Sequence, residues 1–174
     1  MTRLDLSRDA NGDSASHRKL RDAFGRFATG VTVITGLLPD GRRTGLTVNS
    51  FTSLSLEPAM ILWNLRSGSP SAPAFIKGRA FAVNVLATSQ HEISQRFCRP
   101  ADDKFIDLDY EDGLEGVPVL TGSLAAFECR VEDGVTCGDH RIVIGRVLAA
   151  RYGEGEPLIY SQGRYCTAIE LATD

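Results

Sequence analysis

This 174-residue chain has no membrane-length apolar run, no basic excess, no paired cysteine motif and no histidine cluster. No run approaches the ~18 residues a spanning helix needs. The opening Met-Thr-Arg-Leu-Asp-Leu-Ser-Arg-Asp lacks the apolar centre of a signal peptide, so a cytoplasmic location is expected. The net charge is −3, which points away from a nucleic-acid or anionic-membrane surface, since both need basic residues to neutralise phosphates. None of Cys98, Cys129, Cys137 and Cys166 forms a C-x-x-C pair, and His17, His91 and His140 are scattered. No metal site is expected, and the thiols read as small packing groups. There is no catalytic triad, carboxylate pair or nucleophile motif, and no G-x-G-x-x-G at a strand–helix junction.

The chain has the size and composition of one ordinary domain, 43% apolar and 24% charged. Residues 1–15 read as a polar tail and residues 16–174 as the domain. From Ser16, the residues Leu20, Ala23, Phe24, Phe27 and Ala28 repeat at helical spacing. They predict a helix with an apolar face, capped by Ser16 and ended by Gly30. Strands are predicted at Val31–Thr35, Gly45–Phe51, Ala59–Leu65, Phe81–Leu86, Ala125–Val131, Arg141–Ala149 and Arg164–Ile169, with a turn at Pro39-Asp40-Gly41. Two further short helices are expected. One runs from Ser69 or Ser71 to Gly78. The other starts at Ser89, with Ser89 and Glu92 as a capping box and Ile93 and Phe97 buried. Many short strands with few helices predict a mainly β, closed or partly closed antiparallel barrel.

Several residues resist a purely structural reading. Asn is depleted in strands, so Asn49 in Gly45–Phe51 and Asn84 in Phe81–Leu86 each need a dedicated partner. For Asn49 a bulge or barrel corner and a ligand contact stand as equal alternatives, and two such strands suggest a polar planar ligand. Ser69 and Ser71 read as helix caps. The same geometry could offer free N–H groups to an anion, with Arg66 adding charge. Gly138-Asp139-His140 reads as a hairpin turn bearing an exposed histidine. Lys104-Phe105 reads as a loop packing its aromatic, and Trp63 as core.

Leu20–Gly30 followed by Thr-Gly-Val-Thr-Val-Ile-Thr at 29–35 resembles the opening of the short-chain flavin reductases, which include the reductase components of two-component flavin monooxygenases. GLTVNSFTSLS at 45–55 is similar to their flavin-binding signature. FAVNVL at 81–86, Asp103-Lys104-Phe105, Gly116–Leu120, Phe127-Glu128-Cys129 and Gly138-Asp139-His140 resemble their later blocks in the same order. The resemblance covers about residues 18–170. It implies a split, Greek-key antiparallel β-barrel of the FMN-binding type, usually a homodimer, that uses NADH or NADPH to reduce FMN or FAD for a partner monooxygenase.

Carried over residue by residue, the resemblance implies flavin contacts at Thr47, Val48, Asn49 and Ser50. It implies ribityl and phosphate contacts at Asn64, Leu65, Ser69 and Ser71, and further flavin contacts at Asn84, Val85, Leu86, Lys104 and Phe105. Gly138, Asp139 and His140 match the nicotinamide-donor motif, with His140 positioning the donor, and Tyr165 borders the same cleft. The missing acid–base motifs agree with this reading, because the two cofactors carry the hydride chemistry and the protein supplies position. A non-catalytic flavin-binding module and a flavoprotein reducing ferric iron or a corrinoid are the alternatives.

Overall fold

The computed structural model describes residues 14–171, so of the tail expected over residues 1–15 the first thirteen lie outside the described part and the last two belong to a helix. The first element is α1 (Ser14–Phe24), which takes in Ser14 and Ala15 and puts Ser16 within the first turn, not at the cap. Nothing in 14–24 is Gly or Pro, so no residue stops the helix from extending back past Ser16. It also ends earlier than expected. Gly25 N–H reaches the Arg21 carbonyl at 2.8 Å, and the chain then turns away. Gly30 is therefore not a cap. It lies in β1 (Thr29–Gly30), opposite Ile159. The predicted apolar face finds little cover within the chain: Phe24 and Phe27 are 69% and 78% exposed.

The strands that follow are β2 (Thr32–Leu37), β3 (Arg43–Val48), β4 (Thr52–Leu56), β5 (Ala59–Arg66) and β6 (Ala80–Val85). After α2 (His91–Cys98) come β7 (Tyr110–Asp112), β8 (Pro118–Leu120), β9 (Ala125–Cys137), β10 (His140–Tyr152), β11 (Ile159–Ser161) and β12 (Arg164–Cys166). The predicted strand 45–51 is thus broken at Asn49, and the predicted strand 164–169 stops at Cys166. β1, β4, β7, β8 and β11 were not anticipated.

The main sheet is antiparallel in the order β3-β2-β6-β9-β10-β5-β4. Its two edge strands, β3 and β4, are consecutive in the chain and joined only by Asn49–Phe51. A sheet whose edges are joined by so short a corner must curl back on itself, and the unpaired edges leave a split between them. Register shifts in the β9–β10 pairing and at Ser53/Ser55 of β4 supply local bends. The result is the expected split antiparallel barrel. A small sheet, β1-β11-β12, lies beside it.

Alternating inward residues fill the barrel. Ile61, Trp63 and Leu65 of β5 are buried together with Phe81, Val83, Val131 and Val143. Trp63 meets Phe75 edge-on at 5.0 Å between ring centroids. Gly145 makes room for this core, since a Cβ there would lie 2.5 Å from Phe81 Cζ. The segment 69–78 is less helical than predicted. It holds one 3-10 turn, Ala72–Phe75, which includes Pro73 and lies over Gly36 and Trp63.

α2 begins after a 3-10 turn, and its start is tied down by Gln90, not by Ser89 and Glu92. Gln90 Oε1 accepts from Ala87 N–H at 3.1 Å, and its Nε2 donates to the Thr121 carbonyl at 2.9 Å. Phe97 is buried as expected, whereas Ile93 is only half-buried. No described helix is long and apolar enough to cross a membrane.

Candidate active site

The corner that splits the barrel also opens a cleft of about 1120 Å³, of the size that holds a sizeable small molecule. One wall is the corner itself, Asn49–Thr52, with Asn64 of β5. The other is the C-terminal part of α1 and the loop after it, with Tyr160 and Gln162 from the β11–β12 hairpin. Ser50 locks the first wall: its Oγ accepts the Asn64 N–H at 2.9 Å and fastens the corner to β5. Asn49 is exposed and stands at the corner, so both sequence alternatives for it describe the same place. Asn49, Ser50 and Asn64 together offer uncharged donors and acceptors beside the Phe51 ring. That donor set suits the edge of a planar heteroaromatic ring carrying both kinds of hydrogen-bonding atom, so the residues fit a flavin.

The remaining expected flavin residues lie elsewhere. Thr47 is half-buried, and its Oγ1 donates to the Ser94 carbonyl at 2.7 Å. Ser94 Oγ in turn meets Tyr165 OH at 2.8 Å, and Tyr165 packs on Tyr160 of the cleft wall. Thr47 and Tyr165 therefore brace the cleft without lining it. Val48 and Leu65 point into the core. Leu86 is fully buried, and its main chain is taken by Val31 and Leu158. Val85 is half-buried, paired with Thr32 and Ala125.

Asn84 does have the dedicated partners its position demanded, but all are internal. Its amide donates to the Val33 carbonyl at 3.0 Å and to Thr35 Oγ1 at 3.3 Å, and its Oδ1 accepts from Leu120 N–H at 2.8 Å. With no exposed surface, its side chain belongs to the barrel wall. Phe105 is packed between Phe97 and Tyr110. Lys104 Nζ donates to the carbonyls of Gly45 and Phe97, each at 3.1 Å, and burial holds its ammonium below the usual lysine range.

The free N–H groups expected at Ser69–Ser71 are already used. Ser71 N–H donates to Ser69 Oγ, Ala72 N–H to the Ser69 carbonyl and Ala74 N–H to the Ser71 carbonyl. Ser71 Oγ is 2.8 Å from Thr44 Oγ1 and buried. This segment is a tight turn fastened to the start of β3, and the anion seat read from its amides is not formed by them.

The Gly138-Asp139-His140 motif forms the tip of the long β9–β10 hairpin, with Gly138 at φ +61° in the turn. His140 is the first residue of β10 and lies opposite Arg66, while Ile142 lies opposite Asn64. Arg66, Asn64, His140 and Ile142 share the outward face of these strands, so His140 sits two residues, about 7 Å, along the ladder from the cleft's Asn64. His140 Nδ1 is 2.8 Å from Asp139 Oδ1. The bond and charge of His140 hold the Asp139 carboxyl below the usual range, with Arg66 adding to it. Asp139 thus stays ionised and fixes the orientation of the imidazole.

Sequence reasoning missed the second wall, above all Arg21, Arg26, Tyr160 and Gln162. Phe24 and Phe27 were visible in the helical repeat as part of an apolar face, with nothing in the sequence to say what that face meets.

A split barrel with a cleft at its split, one wall of which carries uncharged hydrogen-bonding side chains, beside an exposed Asp–His pair, defines a protein built to hold a planar cofactor at its surface. The chain belongs to the flavin reductase-like family: the family's domain model matches residues 24–168. It is 46% identical over 148 residues to the FMN reductase (NADH) SmoA of Agrobacterium fabrum, covering 85% of this chain and 84% of that one. It is 40% identical to the reductase component of the flavin-dependent trigonelline monooxygenase of Acinetobacter baylyi, covering 90% of this chain but only 51% of that protein. A probable flavin reductase of Rhizobium meliloti is likewise matched over 48% of its length, so the chain spans about half of some relatives. Among solved structures, the NADH:FAD oxidoreductase SgcE6 of Streptomyces globisporus, in complex with NAD and FAD fragments, superposes with TM-score 0.84 at 30% identity. That match covers 100% of this chain and 99% of that one.

Proposed function

We propose that this chain is an NAD(P)H-dependent flavin reductase that transfers hydride from a nicotinamide donor to FMN or FAD and supplies the reduced flavin to a partner monooxygenase. The observation that carries the reading is the cleft at the split, where Asn49, Ser50 and Asn64 stand together two ladder residues from His140. Family membership supports it, as do the NADH-dependent relative and the relatives that are monooxygenase reductase components.

Bound flavin supplies the two-electron acceptor, and the nicotinamide supplies the hydride. The chain's own work is positioning. Ser50 fixes the corner to β5. Asn49 and Asn64 would hold the edge of the flavin ring by hydrogen bonds and would favour negative charge on it. Asp139 holds His140 in one orientation to seat the donor, and His140 transfers no proton in this scheme. Preorganisation of this kind supplies rate by removing orientational freedom.

The functional unit in this reading is a homodimer. Leu62, Ile142 and Ile144 are half-buried on the barrel's outward face, beside Val135, which is 54% exposed. The exposed Phe24 and Phe27 flank the cleft. Contiguous apolar surface of this kind marks an interface.

The test is NADH and NADPH oxidation by the purified protein with and without added FMN or FAD. Oxidation that saturates with added flavin supports the reading. Flavin binding without oxidation of either donor supports a non-catalytic flavin module instead.

A further inference from the structure

The two walls of the cleft differ in charge. The wall built from the Asn49 corner and Asn64 is neutral. The opposite wall carries every charged residue of the lining, Arg21, Asp22 and Arg26, with Asp22 offsetting one arginine. A cationic wall is notable in a chain of net charge −3.

Arg26 is also held in place. Its Nη1 donates to Gln162 Oε1 at 2.8 Å. Gln162 is fixed in turn, because its N–H donates to the Gly25 carbonyl at 2.7 Å, and it adopts φ +51°, a left-handed conformation unusual for a residue with a side chain. With Gly163 at φ +77°, it forms the tight turn between β11 and β12. The hairpin and the loop after α1 therefore clamp each other at residues 25–26 and 162. Gln162 Oε1 is the only acceptor the guanidinium takes among the described residues, so several of its N–H donors remain for a ligand.

We infer that Arg26, positioned by Gln162, is the seat for a phosphate group of the bound nucleotide, with Arg21 adding charge to the same wall. The ligand would lie across the cleft, its planar ring against the neutral wall and its anionic tail against the cationic one. This rests on the reading that the cleft takes flavin and nicotinamide. Both carry phosphate, so the chemistry is shared by two sources. Arginine suits the role because its planar fork can bind phosphate oxygens in pairs.

The test compares ligands with and without phosphate, by fluorescence or calorimetric titration as well as by turnover. FMN is set against riboflavin, and NADH against N-benzyl-1,4-dihydronicotinamide, for the wild type, R26A, R26K and Q162A. The exposed R42A serves as control. R26A should weaken one phosphate-bearing ligand about tenfold or more, the usual worth of a hydrogen bond to a charged group, while its phosphate-free counterpart changes less than about twofold. Loss confined to FMN assigns the flavin phosphate, and loss confined to NADH assigns the donor's. Either supports the inference. R26K should recover part of the loss, and Q162A should show a smaller loss with the same selectivity.

Equal effects on phosphate-bearing and phosphate-free ligands, or none on either, overturn the inference while leaving the reductase reading intact. A wild type that binds these ligands but never oxidises NADH overturns the reductase reading alone, and the binding titrations still decide Arg26. A wild type that binds none of the four ligands overturns both.

Discussion

Replacing Asn84 by alanine separates the barrel's frame from its binding chemistry. Resemblance alone makes Asn84 a flavin contact, whereas the structure encloses it among Val33, Thr35 and Leu120. Truncation strands the Leu120 N–H, at about 1–3 kcal/mol for a buried unsatisfied donor, and removes two further bonds of lesser individual worth. A total near 2–4 kcal/mol is expected, because part of the loss is recovered by local relaxation. For a domain of this size each kcal/mol moves Tm by roughly 2–4 °C, so N84A should melt about 4–16 °C lower. Thermal denaturation followed by circular dichroism reads this directly. Flavin titration well below the new Tm should give a dissociation constant within about twofold of wild type, since additive, distant sites do not couple. A variant with unchanged Tm but flavin affinity reduced tenfold would refute the argument and return Asn84 to the binding site.

Three other outcomes are expected. H140A should raise the donor KM by about fivefold or more, the worth of one positioning contact, while flavin affinity stays nearly unchanged. Loss of flavin binding with an unaltered donor KM would contradict the assignment of His140. I142R, on the outward face beside Asn64, should shift the protein from dimer to monomer by light scattering, whereas an unchanged mass would move the interface elsewhere. Cys129 is buried, and burial pushes its thiol up to about 12 from 9.0, with Glu128 adding to the shift. The native protein should therefore alkylate at the exposed Cys98, Cys137 and Cys166 but not at Cys129. Because the folded value lies above the unfolded one, protonated Cys129 favours the fold below pH 9. That contribution should fade as pH rises from 9.0 towards about 12, measurable as falling Tm.

The architecture was legible because strand alternation and turn chemistry are local. The run Ala59–Leu65 and the pattern around Phe81 give β5 and β6 nearly residue for residue. The site was harder to read, because an Asn within a strand says only that a partner exists. For Asn84 the partner is a neighbouring backbone, and for Asn49 the chain has already turned a corner. Both depend on how strands far apart in sequence are registered. The apolar face of α1 was legible as a face but not by its destination: periodicity marks a face as apolar without saying what covers it. The second wall of the cleft left fainter marks still. Gln162 gives no composition signal for a left-handed turn, and only Gly163 beside it hints at one.

The most direct test of the central claim is anaerobic reduction of free FMN by NADH in the presence of catalytic amounts of the protein, followed by bleaching of the flavin absorbance. The account predicts one flavin reduced per NADH consumed, over many turnovers, with H140A slowed at low NADH and recovering at high. Flavin that binds the protein but keeps its oxidised spectrum with NADH and with NADPH would contradict it.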